Sequence, residues 1–217
     1  MTGSDDSAMM APANRGGFVS DLIHQYRAGN GPAAALLVHG RRGNVDSMAI
    51  FAAQAPQSMH LLSVQAPWEE APGEFSWWRA EAGAERDRAC SLLEDFIADA
   101  RPRYDLQEAR LIGCGFSQGA ALISLLVQRR PGLFSGAALL CGFVVQEPGG
   151  PALPGTPLLI VHGLRDSMIP VRAAREGAHH LERRGARTVL IEDNTGHKVG
   201  RAGMAALRRW LEERALP

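Results

Sequence analysis

Ser117 stands between two glycines in Gly115-Phe116-Ser117-Gln118-Gly119, and it is the group in this chain best placed to form a covalent bond with a substrate. The residues before it, "ARLIGCG" (109–115), are a short apolar run of the kind that forms a buried strand. Those after it, "QGAALISLLVQRR" (118–130), read as a helix that stops at Pro131-Gly132. A serine at the tip of a strand-to-helix turn takes a strained backbone conformation. The residues two before and two after it must then lack a Cβ, and both are glycine here. The helix starting near Gln118 directs free N–H groups and the positive end of its dipole at any oxyanion formed beside Ser117.

A serine hydroxyl needs a base to become a nucleophile at neutral pH, normally a histidine held by a buried carboxylate, and after such a turn the chain order is Ser, Asp or Glu, His. Asp166 follows the apolar run "PLLIVHG" (157–163), in "HGLRDSMIP"; His197 follows "RTVLIE" (187–192), in "DNTGHKVG". Both fall beyond the carboxyl ends of strands, the rim where ligands bind in open parallel sheets. Other histidines place less well. His179 and His180 lie in a helical pattern, His24 and His60 fall before or within strands, and Asp193 is too near the end of its own strand to reach His197. The plainer alternatives are a helix-capping Ser117, an Asp166 that caps the helix after Pro170, and an exposed loop histidine at 197. An oxyanion site needs two donors: the N–H of Gln118, whose side chain is expected to be incidental, and one from "HGRRGN" (39–44), read as the N–H of Arg41. His39 and His162 are expected to hold loops by hydrogen bonds.

The elements that must position these residues alternate along the chain. Strands are expected at "AAALLV" (33–38), 109–115, "SGAALLCGFVV" (135–145), 157–163 and 187–192, with a weaker one at "MHLLSV" (59–64). These runs are short and near-continuously apolar, as strands buried on both faces are. Ala89, Leu92, Leu93, Phe96, Ile97 and Ala100 keep helical spacing up to Pro102. Pro170 opens another helix at its first position and Gly185 closes it, while Met204, Leu207 and Leu211 mark the last. The fold class is therefore α/β, a mostly parallel central sheet with helices on both faces. Residues 1–17 read as a flexible leader and 18–217 as one domain. Only about a dozen Pro- and Gly-rich residues separate Val145 from Pro157, too few for a lid domain.

Lys plus Arg and Asp plus Glu number 23 each among 217 residues. No net field favours nucleic acid or an anionic membrane, and the expected partner is a small, nearly neutral molecule. No apolar run reaches the roughly 18 residues of a membrane span. The acidic start resembles no signal peptide, and three cysteines without metal-ligand spacing point to a reducing, cytoplasmic home. The reading leaves a homodimer open.

Taken together, "GFSQGAA", "HGLRDSMIP" and "GHKV" resemble, in order, the catalytic blocks of the small cap-less α/β-hydrolases of the phospholipase/carboxylesterase family, which includes acyl-protein thioesterases. "LLVHGRRGN" resembles its oxyanion block, and "APGEFSWWR" (71–79) the block whose aromatic pair borders the site. The resemblance runs from about Ala33 to the C-terminal helix and implies an α/β-hydrolase fold, a Ser117–Asp166–His197 triad, and an oxyanion hole from the N–H groups of Arg41 and Gln118. It also implies hydrolysis of carboxylic esters, and in some members thioesters, with no metal and no cofactor. Arg42 stands where many members have glycine, with Gly43 available one position later. Trp77, Trp78, Phe143 and Met168 are the candidate substrate-wall residues, whereas Trp68 and Trp210 are assigned to the core. An open site favours short or medium esters. The alternatives are a thioesterase acting on lipidated proteins and an inactive hydrolase fold used for binding. A cysteine-based dienelactone hydrolase fits less well, since Cys114 lies in the strand before the turn.

Overall fold

The computed structural model describes residues 11–12, 22–79, 83–147 and 149–216. The expected flexible leader lies outside these residues, apart from β1 (Ala11–Pro12), which pairs antiparallel with β2 (His24–Arg27). The central strands follow as β3 (Ala33–Val38) and β4 (His60–Val64), with a short helix α1 (Ala49–Ala52) between them. Next come a separate hairpin, β5 (Trp68–Ala71) and β6 (Glu74–Ser76), and the helix α2 (Gly83–Arg103). The rest of the chain runs β7 (Arg110–Phe116), α3 (Gln118–Arg129), β8 (Gly136–Leu140), β9 (Pro157–Gly163), α4 (Val171–Arg183), β10 (Arg187–Asp193) and α5 (Arg201–Ala215).

The main sheet has the order β1-β2-β4-β3-β7-β8-β9-β10 and is parallel from β4 through β10. The apolar runs are continuous because each strand feeds two cores by turns. Ala34, Leu36 and Val38 of β3 face a core formed with α2, α3 and α4, while Ala33, Ala35 and Leu37 face a second formed with α1 and α5. β8 and β9 divide likewise, with Leu139 and Ile160 on the first side and Leu140 and Val161 on the second. The chain leaves β3 toward β4 on one side and later returns to β7 on the other, so strand order reverses between β3 and β7. A crevice opens at such a point beyond the carboxyl ends of the strands.

Four expectations are corrected. The strand expected to reach Val145 ends at Leu140, because Cys141 turns to φ 48°, in the left-handed region. Pro102 lies inside the last turn of α2 instead of before its end, and Pro170 is the N-cap of α4 and not its first residue. The fourth is Trp68, which is partly exposed on the hairpin, not in the core, with the guanidiniums of Arg79 and Arg88 4.3 and 5.3 Å from its ring. Trp210 is buried as expected. Segment 141–156 holds no helix or strand among its described residues and so forms no lid domain.

Candidate active site

Ser117 follows the last residue of β7 and takes φ 53°, ψ −114°, a conformation that L-residues rarely adopt. Packing explains why both flanking residues are glycine. A Cβ on Gly115 would fall 2.3 Å from the carbonyl oxygen of Gly119, and one on Gly119 would fall 2.1 Å from that of Val38. The turn is therefore pressed against the end of β3 with no room for a methyl group. The Ser117 N–H donates to the Leu140 carbonyl (2.8 Å), and its side chain makes no capping bond to α3, which sets aside the helix-cap alternative.

The three candidate catalytic side chains meet at this edge. His197 Nε2 lies 2.9 Å from Ser117 Oγ, and His197 Nδ1 lies 2.6 Å from Asp166 Oδ2. Asp166 is fully buried at its side chain, and its other oxygen, Oδ1, accepts the N–H groups of Met168 and Ile169, both at 2.9 Å. It thus closes a turn ahead of α4 and does not cap the helix itself. Burial pushes its carboxyl pKa upward, but the bonds from Ile169, His197 and Met168 outweigh that and hold it below the ordinary 3.8. At neutral pH Asp166 is a carboxylate, and the proton between it and His197 sits on Nδ1, leaving Nε2 free to accept the serine proton.

The loops that carry Asp166 and His197 are stitched to each other. Leu164 and Arg165 donate their N–H groups to the carbonyls of Asp193 and Thr195 (2.7 and 2.8 Å). Gly163 passes so close that a Cβ there would fall 2.1 Å from the Gly196 carbonyl oxygen. Asp193 instead anchors the last helix, its carboxylate accepting the N–H groups of Gly200, Ala202 and Gly203 at the start of α5. His24, His60 and His180 bond to Tyr104, Tyr26 and Gln128, and His179 sits 3.4 Å from Glu182, so none of these faces Ser117.

One candidate oxyanion donor follows the serine in the chain, and the other lies in the loop after β3, which passes so close that a Cβ on Gly40 would fall 3.1 Å from Ser117 Cβ. Gln118 is the first residue of α3 and has no carbonyl one turn back to bond. The N–H of Arg41, in the loop after β3, makes no hydrogen bond among the described residues. The loop is held from several sides. His39 is fully buried: Nδ1 donates to the Gly40 carbonyl (2.6 Å), and Nε2 accepts the Ala66 N–H (2.9 Å). Burial pushes its pKa down to about 4, only partly opposed by the bond to Gly40, so the ring is neutral and fixed in one tautomer. Arg42 takes φ 60°, the left-handed conformation a glycine would adopt freely. Its N–H donates to Ser76 Oγ (3.1 Å) and its guanidinium pairs with Glu74. Arg41 grips Glu70 with two bonds, at 3.0 and 2.9 Å, and together with the Ser76 hydroxyl it draws the Glu70 pKa down to about 2. The β5–β6 hairpin thus acts as a buttress for the oxyanion loop.

Sequence reasoning missed that hairpin and misjudged Gln118, whose side chain is buried and far from incidental. Gln118 Oε1 accepts the Trp77 N–H and Nε2 donates to the Trp78 carbonyl, both at 2.9 Å. The polar amide at an otherwise apolar helix start was the available signal. Trp77 and Trp78 are buried, and the Trp77 indole N–H donates to the His39 carbonyl (2.9 Å). Trp77 therefore serves as scaffold under the oxyanion loop, while Trp78 packs in the first core. Phe143 is half-buried against the first core, whereas Met168 is 72% exposed on the Asp166 turn. Phe116, whose ring lies 5.3 Å from that of His197, is an apolar neighbour that the sequence did not single out. Cys90, Cys114 and Cys141 are free, buried thiols, and burial raises each to about 12, which leaves them protonated and unreactive. Among the described residues no His/Cys/Asp/Glu cluster could hold a metal ion, and no helix is long and apolar enough to cross a membrane.

The model of the family described as "Serine hydrolase (FSH1)" matches residues 45–203, well over half of the chain. The putative hydrolase MhqD of Bacillus subtilis (strain 168) is 25% identical over 197 residues, covering 88% of this chain and 98% of its own. Among solved structures, the Bacillus cereus carboxylesterase superposes with a TM-score of 0.81 at 22% identity, over 89% of this chain and 94% of that one. Atu2452 of Agrobacterium tumefaciens reaches 0.77 at 27% identity, over 89% and 97%. The structural likeness establishes the α/β-hydrolase fold expected from the sequence.

Proposed function

The chain belongs to the serine hydrolase (FSH1) family, and on that premise we propose that it is a carboxylesterase that cleaves short to medium carboxylic esters through an acyl-enzyme on Ser117. One observation carries the reading: a buried carboxylate, an imidazole and a serine hydroxyl linked at 2.6 and 2.9 Å, with the N–H groups of Arg41 and Gln118 unbonded among the described residues. His197 takes the Ser117 proton on Nε2 as Oγ attacks the acyl carbonyl. Asp166 keeps the Nδ1 proton in place and stabilises the imidazolium that forms. The N–H groups of Arg41 and Gln118 receive the oxyanion, each contributing about 3 kcal/mol by analogy with measured losses at such sites. His197 returns the proton to the departing alcohol; water then enters by the same route and releases the acid.

Two features support the substrate class. The rim arginines Arg41 and Arg42 are each paired with a glutamate, Glu70 and Glu74, so the entrance adds little net charge and suits a neutral ester. Without a lid, a long acyl chain would lie largely in water, which favours short ones. The test is a fluorophosphonate probe together with a series of p-nitrophenyl esters from acetate to palmitate and matching acyl thioesters. Labelling should map to Ser117, Ser117→Ala should abolish both labelling and hydrolysis, and activity should fall beyond medium chains. Hydrolysis surviving Ser117→Ala would overturn the site, and a maximum at long-chain thioesters would replace the carboxylesterase by a thioesterase.

A further inference from the structure

One buried polar group beside the triad has no part in the steps above. His162, the second-last residue of β9, is fully buried, and its Nε2 lies 2.8 Å from the Ile169 carbonyl oxygen and 3.4 Å from Asp166 Oδ2. Both neighbours are acceptors, so Nε2 carries the proton. Its other nitrogen, Nδ1, is buried and has no hydrogen-bond partner among the described residues. We infer that His162 is a positioning residue for Asp166, a donor that fastens the Ile169 end of the Asp166 turn and sets its N–H beside the carboxylate that orients His197.

The turn explains why such a donor matters. Asp166 Oδ1 is fixed by the N–H groups of Met168 and Ile169, but these bonds locate only one end of the carboxylate. The Ile169 carbonyl accepts from His162, so Ile169 is tied through its N–H to Asp166 and through its C=O to β9. The ring also lies within electrostatic reach of Oδ2, the oxygen that receives the His197 proton. With Nε2 donating to Ile169, the ring offers the turn a single N–H, and that donor lies on the side of the turn that carries Oδ2. The other titratable groups around this pocket are Cys141, which lies near Asp166 and is protonated, Asp193, whose carboxylate accepts the N–H groups at the start of α5, and Glu192, which is paired across the sheet with His162 but bound through its carboxylate to Arg175. None of them supplies the missing partner.

This inference rests on the Ser117–Asp166–His197 triad, and the experiment separates the two. His162→Leu removes the donor, whereas His162→Gln places an amide N–H near the position of Nε2. His162→Leu is expected to lower kcat for p-nitrophenyl butyrate about 3- to 10-fold, the loss of one buried hydrogen bond that holds the Asp166 turn, with KM within about twofold. It should also move the acid limb of the kcat/KM profile to lower pH, since a less firmly held Asp166 supports the His197 imidazolium less well. His162→Gln should restore most of both. In proton NMR the low-field Nδ1–H signal of His197 should shift upfield in His162→Leu and return in His162→Gln, a readout that needs no turnover. His162→Asn, whose shorter amide stops short of Ile169, replaces the leucine variant if that one does not fold. The inference is overturned if the donor-free variant keeps the wild-type acid limb and Nδ1–H signal, or if the loss in kcat merely follows the fraction folded. Failure of the fluorophosphonate to label wild-type Ser117 would instead sink the triad itself.

Discussion

Replacing Asp166 by asparagine exchanges one oxygen for an NH2 group at nearly constant volume, and the structure dictates which way the new amide must face. The seat of Oδ1 is addressed by two N–H donors, from Met168 and Ile169, both at 2.9 Å. An NH2 placed there would meet two donors head-on and forfeit two hydrogen bonds, at about 1–3 kcal/mol each in a buried site. The amide oxygen therefore keeps that seat, and the NH2 takes the place of Oδ2, 2.6 Å from His197 Nδ1. A donor at that position forces Nδ1 to accept, which moves the ring proton to Nε2. His197 then presents an N–H to Ser117 Oγ across the 2.9 Å gap and cannot take its proton. The expected loss in kcat is about 10⁴-fold, equivalent to ~5.4 kcal/mol of barrier, with KM changed only a few-fold. Thermal stability should fall by less than about 1 kcal/mol, because both turn bonds survive, whereas Asp166→Ala leaves two N–H groups without an acceptor and should cost more. Steady-state hydrolysis of p-nitrophenyl butyrate, thermal melts and the rate of fluorophosphonate labelling measure all three. An asparagine variant within tenfold of wild type in kcat would refute the argument that the carboxylate selects the tautomer.

Gln118→Ala leaves the backbone oxyanion donor in place but strips the buried Trp77 N–H and Trp78 carbonyl of their partners, so it should lower the unfolding free energy by about 2–4 kcal/mol in denaturant titrations; a change below about 0.5 kcal/mol would return the side chain to incidental status. The Arg41–Glu70 pair supplies a pH signature, because Glu70 has a lower pKa folded than unfolded: its contribution is complete above about 4.5 and disappears as pH falls through about 2. Arg41 is 59% exposed, so Glu70→Gln should cost less than about 1 kcal/mol at pH 7, and the gap from wild type should narrow across that window. A difference independent of pH would show that the pair's charge is not what Glu70 contributes.

Much of the site was legible because the information was local. The elbow needs two residues without a Cβ at fixed offsets from Ser117, and the contacts at Gly115 and Gly119 show why nothing else fits. Asp166 and His197 could be read from position alone, since a residue just past the carboxyl end of a parallel strand must lie on the rim. The β5–β6 hairpin was harder: its strands are four and three residues long, polar and aromatic in mixture, and carry too little period to announce themselves. The end of β8 was misplaced for a related reason. Its apolar run continues past Leu140, and the left-handed turn at Cys141 that ends the strand leaves no mark in an apolar pattern.

By itself the sequence determined the alternation of strands and helices, the parallel sheet, the serine turn and the order of the three candidate catalytic residues, because each depends on near neighbours or on strand ends. Tertiary structure decided the rest. The Gln118 amide found its partners 40 and 41 residues away. Trp77 went under the oxyanion loop and Trp78 into the first core, and Arg42 took a glycine's conformation with Ser76 and Glu74 to hold it. His162, read from the sequence as holding a loop by a hydrogen bond, does so at Ile169 and also came to rest against the one carboxylate whose orientation matters most. Periodicity reports which face of an element is buried, but a hydrogen bond between remote side chains depends on distances that only the folded chain fixes.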